Sequence, residues 1–158
     1  MSLRAIPLTF FVFVLYNVIV LFSGSADATT TDGAATARAL LATEIFAIPM
    51  ISGAVWSFTW GDLVLVVTLA VLFIEILKAT YTSTSSLVDH GLSMLVFIAA
   101  LIEFIVVPQA ATSVFFLVLV ALLIDVIAGF TIGIRVAKRD IGFGSAEDRK
   151  STRLNSSH

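Results

Sequence analysis

The sequence predicts an all-α membrane fold: a four-transmembrane-helix bundle with a short outer β-hairpin between helices one and two. Three observations carry this. Four apolar runs, at 5–22, 63–77, 87–107 and 114–134, approach the roughly 20 residues that a helix needs to cross a bilayer, with about 17 as the lower bound. Apolar residues make up 59% of the 158-residue chain, more than a soluble domain of this size can hide. The basic residues sit at alternate ends of the runs, as the loops of a multi-pass protein require.

The first helix is expected over about 5–22. Arg4 precedes it and Ser23 to Ala28 follow it, which leaves two readings open. A basic start, an apolar centre and Ala26-Asp27-Ala28 fit a cleaved signal peptide. A run of about 18 residues exceeds the usual 7–15 of a signal core, and Tyr16 and Asn17 inside it suit a retained, packed helix.

The outer loop, 24–61, begins with a small, polar stretch over 29–37 that reads as a solvated linker. From Glu44 to Trp60 the chain turns apolar, with alternation on both sides of Ser52-Gly53. Period-two alternation around a turn predicts a hairpin. A broken interfacial helix competes with it, and in either form Trp56 and Trp60 suit an interfacial belt.

The second helix is expected over 62–79, with Asp62 as its N-cap. It reaches spanning length only if Ala79 is counted and the Lys78 stem snorkels. A hydroxyl-rich turn, 80–86, leads to the third helix over 87–107, where Ser86 and Asp89 have capping-box spacing. Pro108-Gln109 breaks the chain before the fourth helix, 112–135.

Residues 1–147 read as one integral membrane domain. The remainder, 148–158, matches one reading frame of a common sequencing-adapter oligonucleotide and is set aside from fold reasoning. Without Asp148, Arg149, Lys150 and Arg153 the chain has six basic and ten acidic residues, so its formal charge moves from −2 to −4. Arg4, Lys78, Arg135, Lys138 and Arg139 fall on one side of the four spans and only Arg38 on the other. The positive-inside rule then puts both termini and the 80–86 turn in the cytoplasm.

Composition excludes much chemistry. There is no cysteine, and His90 is the only histidine before the tail, which argues against zinc, haem and thiolate sites. A carboxylate-only Mg²⁺ or Ca²⁺ site stays formally open. There is no phosphate-binding glycine loop and no basic surface for nucleic acid. Asp89 and His90 are helix neighbours and point about 100° apart, so they make a poor acid–base couple. No enzyme activity, catalytic residue, metal or cofactor is expected.

The polar residues within the apolar runs need an explanation, because each costs about 2.5–3.5 kcal/mol at a helix centre on insertion scales. They are Glu75, Glu103 and Asp125, with Asn17 and His90 as weaker company. Glu75 and Lys78 have ion-pair spacing. Glu75, His90 and Asp125 come to similar depth on three helices, which suits either a proton-sharing or cation site or a buried hydrogen-bond network. On helix three, Asp89, Ser93, Val96, Ala100 and Glu103 share one small, polar face, and Asn17 is placed to partner Glu103. On helix four, Ala121, Asp125, Gly129 and Gly133 recur every four residues, a seam for close helix approach within one chain or across a dimer.

Three segments, Glu75-Ile76-Leu77-Lys78-Ala79-Thr80, Asp89-His90-Gly91 and Ile124-Asp125-Val126 with Gly129-Phe130, resemble a pattern in small four-helix inner-membrane proteins of proteobacteria. The resemblance covers helices two to four and the outer loop through Ser52-Gly53 and Gly61-Asp62. It implies a bacterial cytoplasmic membrane and transfers no activity. The expected function is a non-enzymatic structural or accessory subunit of a membrane assembly. Its partners would be the bilayer and a second copy or another membrane protein. The alternative is a proton- or cation-coupled transport component using Glu75 and Asp125.

Overall fold

The computed structural model describes residues 6–24, 32–81 and 86–155. Among them the chain is mostly helical, with five α-helices and one two-stranded antiparallel sheet. In order these are α1 (Thr9–Gly24), α2 (Gly33–Leu41), β1 (Glu44–Pro49), β2 (Val55–Thr59), α3 (Trp60–Tyr81), α4 (Ser86–Val106) and α5 (Ser113–Asn155). A single 3₁₀ turn, Pro108–Ala110, joins α4 to α5.

Helix α1 starts at Thr9, later than the apolar run suggested, because the chain enters through a turn at Pro7 and Leu8. Phe10 N–H and Phe11 N–H donate to the carbonyls of Pro7 and Leu8 at 3.0 Å each. One buried face, Val12, Tyr16 and Val20, recurs every four residues and packs inward.

The linker expected over 29–37 is corrected in its second half, which is helical. Asp32 accepts from Ala34 N–H at 3.0 Å and Ala35 N–H at 3.2 Å, satisfying the orphan donors of α2. Four alanines then favour helix, and Ala37 and Leu41 bury against the bundle.

The hairpin forms. Pro49 pairs with Val55, Ile48 with Trp56, Ala47 with Ser57 and Phe46 with Phe58, and a bulge falls between Glu44 and Phe46. Gly53 N–H donates to Met50 O at 2.9 Å, and Met50 N–H to Ala54 O at 2.8 Å. Gly53 has φ +84°, so this is a three-residue loop whose last position needs glycine.

The cap of α3 lies three residues earlier than expected. Thr59, the last strand residue, is the capping residue; Asp62 stands inside the first turn and reaches back. Asp62 Oδ2 accepts from the Thr59 N–H and hydroxyl at 2.9 Å each, and Thr59 Oγ1 accepts from Asp62 N–H at 3.2 Å. This reciprocal box lets α3 begin at Trp60 with no loop after β2. The Ser86 and Asp89 side chains of the proposed box, and residues 82–85 of the turn, lie outside what the structure describes.

Helix α4 ends before Pro108, which cannot continue it. Thr112 restarts the chain: its hydroxyl accepts from Phe115 N–H at 3.1 Å at the head of α5. No proline follows, and α5 runs past the expected end near Arg135 through to Asn155.

Helix α5 is the central element, packing along both α3 and α4 while α1 touches all three. Its Phe115 is fully buried, edge-on to Tyr16 with centroids 4.7 Å apart and stacked on Phe104 at 6.2 Å. Among the described residues, two stretches are long and apolar enough to cross a membrane: α3, and Ser113–Arg139 of α5. The apolar parts of α1 (Thr9–Leu21) and α4 (His90–Val106) are shorter.

Candidate functional site: a buried polar cluster

Polar side chains of the four long helices meet at the end of the bundle where α1 begins and α3 ends. Backbone geometry brings them there. Leu8 and Thr9 open α1, whose first amide groups have no partner within the helix. Glu75, six residues before the end of α3, accepts from Leu8 N–H through Oε2 at 3.2 Å. Its other oxygen, Oε1, lies 3.4 Å from Lys78 Nζ one turn on.

Asp125, twelve residues into α5, accepts from the Thr9 hydroxyl through Oδ2 at 3.0 Å and also from the Ser93 side chain on α4. The two carboxylates therefore bind adjacent residues at the entry to α1, Leu8 just before it and Thr9 at its start, and lie close enough to feel each other's charge. Lys78 and His90 lie within the same electrostatic reach of Asp125. Glu75, Asp125, Ser93 and Thr9 are all buried.

His90 occupies the space that Gly129 leaves. A methyl group built on Gly129 would collide with the His90 ring, so the small residue of the α5 seam is a socket for an α4 side chain. Phe130 closes the other side at 6.0 Å between centroids. His90 is buried, and its Nε2 has no hydrogen-bond partner. Ala121 and Gly129 are buried along the same stripe, and Gly133 is half-buried further along.

A second polar layer lies toward the other end of α1. Asn17 Nδ2 donates to Glu103 Oε2 at 3.3 Å, and to its own helix at Phe13 O at 3.0 Å. The Tyr16 hydroxyl donates to Gln109 O at 2.9 Å and sits 2.7 Å from the Thr112 hydroxyl. This layer ties α1 to the turn between α4 and α5.

The structure thus places Glu75, Lys78, His90 and Asp125 together, and Asn17 with Glu103 in a separate layer. Sequence reasoning passed over Leu8, Thr9 and Thr112. Thr9 and Thr112 did carry a signal: each is a hydroxyl residue at the head of an apolar helix, the position where a side-chain oxygen or hydroxyl finds unpaired groups.

Chemically, the cluster presents two carboxylates to one lysine, one neutral hydroxyl pair and one imidazole. No group of three or more histidine, aspartate or glutamate side chains among the described residues has a geometry that would hold a metal ion. Two surface clefts lie elsewhere, one beside Arg135, Lys138 and Arg139, the other between Arg38, Asp62 and Ser113. No protein-family model, curated protein or solved structure matches the chain.

Proposed function

We propose that the chain is a multi-pass protein of a bacterial cytoplasmic membrane, a non-enzymatic structural or accessory subunit whose four long helices cross the bilayer. The observation that carries this is an inverted distribution of polarity. Phe11, Leu69, Phe73, Leu95, Ile105 and Ile127 are exposed on the outside of the four helices, while Thr9, Thr68, Glu75, His90, Ser93 and Asp125 are buried between them. In water such an apolar surface is a liability; in lipid it is the solvent-matched face, and buried polar groups act between helices.

Helix α1, with 16 residues, is about 24 Å long at 1.5 Å per residue. Its shortfall against a ~30 Å core is small enough for local thinning of the bilayer to absorb. The burial of Val12, Tyr16 and Val20 supports a retained helix over a cleaved signal. The bond from Leu8 to Glu75 supports a topology in which the start of α1 and the end of α3 share one side. With Lys78, Arg135, Lys138 and Arg139 on that side, both termini are cytoplasmic. The resemblance to small proteobacterial inner-membrane proteins supports the compartment.

The structural role rests on how the carboxylates are held. Each accepts hydrogen bonds from another helix, so they connect all four helices. Reporter fusions test the topology: fusions at Thr82 and after Arg139 behave as cytoplasmic and one at Asp32 as external. An external signal at Thr82 overturns it. Affinity purification from native membrane tests the subunit role, with a stoichiometric membrane partner or a second copy as the expected result.

A second reading, a proton- or cation-coupled transport component, is favoured by one observation, the unpartnered Nε2 of His90 within electrostatic reach of the Asp125 carboxylate. Ion flux in proteoliposomes that is abolished by Asp125→Asn with stability unchanged would establish it in place of the structural role.

A further inference from the structure

We infer that the β1–β2 hairpin lies flat in the outer membrane–water interface, with its aromatic face on the lipid. This rests on the membrane reading above. The register divides the hairpin into two unlike faces. Phe46, Ile48, Trp56 and Phe58 share one; Ala47, Pro49, Val55 and Ser57 share the other. On the first, Phe46 and Phe58 stack at 4.8 Å and Trp56 meets Phe58 edge-on at 5.8 Å. The result is one rigid aromatic plate.

Nothing among the described residues covers that plate. Every residue of β1 is exposed, and Phe46, Ile48 and Trp56 keep 43–47% of their surface open. The turn residue Ile51 is fully exposed. Glu44, at the base of β1, is the only charge on the two strands, and none occurs from Ile45 to Gly61, so nothing on the rest of either strand opposes contact with lipid.

Continuity identifies the occupant. Strand β2 passes into α3 without a loop, and Trp60 N–H donates to Thr43 O at 3.2 Å, closing the hairpin base on the helix start. Exposed apolar side chains therefore extend from Ile51 through Trp56 to Trp60, the first residue of α3, a helix long and apolar enough to cross a membrane. Tryptophan at this level is the usual anchor of a membrane interface. The depth is bounded as well: a two-stranded sheet has two open edges, whose N–H and C=O groups need water or headgroups and cannot enter the hydrocarbon.

The chain has two tryptophans, Trp56 and Trp60, so each becomes a depth probe when the other is replaced. In phosphatidylcholine vesicles, the Trp60→Phe protein reports on Trp56 and the hairpin. The Trp56→Phe protein reports on Trp60 and the end of α3. The expected result is that lipid brominated near its carbonyl end removes at least half of the Trp56 emission. Lipid brominated near the chain terminus removes less, and acrylamide in the aqueous phase has little effect. Strong acrylamide quenching of Trp56 without bromolipid quenching overturns the hairpin placement, provided Trp60 is quenched by lipid and the protein resists alkaline carbonate extraction. Shielding of Trp56 from both quenchers, with crosslinks forming between hairpins, overturns it in favour of a second copy. Extraction of the protein by carbonate removes the membrane reading itself, and the lipid-bound hairpin with it.

Discussion

The polar cluster and the hairpin are held together in opposite ways. In the cluster the bonds that join one helix to another are long-range: Thr9 reaches Asp125 across 116 residues, and Leu8 reaches Glu75 across 67. In the hairpin the partners are at most 15 residues apart, and the turn, bulge and cap at Thr59 are all local. The cluster can exist only once four helices have assembled. The hairpin needs neighbours in sequence and a surface on which to rest its aromatic face. Damage to the first should unsettle the whole bundle, whereas damage to the second should stay where it is made.

The largest expected effect comes from filling the socket under His90. Gly129→Leu forces a side chain into the space the ring occupies and should destabilise the bundle by about 1–3 kcal/mol, toward the upper end. Ile127→Leu, two residues away and 57% exposed, should change little. Thermal unfolding in detergent compares them, and equal stability would mean that the close α4–α5 approach is unimportant.

Next is Asp125→Ala, which leaves the Thr9 and Ser93 hydroxyls buried without their acceptor. The expected loss is roughly 1–2 kcal/mol in the same assay. Asp125→Asn keeps an acceptor and should retain most of the stability. If Asn is as damaging as Ala, the charge itself holds the helices.

A smaller, confined effect is expected from Gly53→Ala, because alanine at φ +84° costs about 1 kcal/mol in the left-handed region. Hydrogen exchange should quicken at Met50 and along β1 and β2 while the protection of α3 and α5 stays as it was. Loss of protection throughout would erase the distinction between the two regions.

The smallest is Tyr16→Phe. It removes the bonds to Gln109 O and Thr112 but keeps the ring on Phe115, for a loss of about 0.5–1.5 kcal/mol. Because Tyr16 ties α1 to the turn before α5, the change should lower the thermal midpoint of the whole bundle in detergent. A change restricted to the hairpin would contradict the view that bonds between distant helices act globally.

Most elements legible in the sequence have local causes; the Asn17–Glu103 contact is the exception. Alternation around Ser52-Gly53 foretold the hairpin, and Pro108 foretold the break between α4 and α5. The Glu75–Lys78 pair follows from the pitch of a helix, and Asn17 with Glu103 from matching depth on adjacent helices. Helix α2 was equally local but went unread, since the low complexity of 29–37 outweighed the cap at Asp32 and the alanines after it. Asp62 reads as the cap because it is the strongest capping residue near the helix start. The hydroxyl of Thr59 took that place because the strand delivers the chain into α3 at Trp60.

By itself, the sequence determined the helical class, the hairpin and which side chains are too polar to face lipid, because periodicity, turn chemistry and residue polarity act over a few residues. Only the tertiary structure decided what those side chains do. It brought the opening amide and hydroxyl of α1 onto two carboxylates and gave the Gly129 gap to His90. It also left the aromatic face of the hairpin uncovered. Each of these depends on the relative height and rotation of separate helices, which packing sets and no single segment encodes.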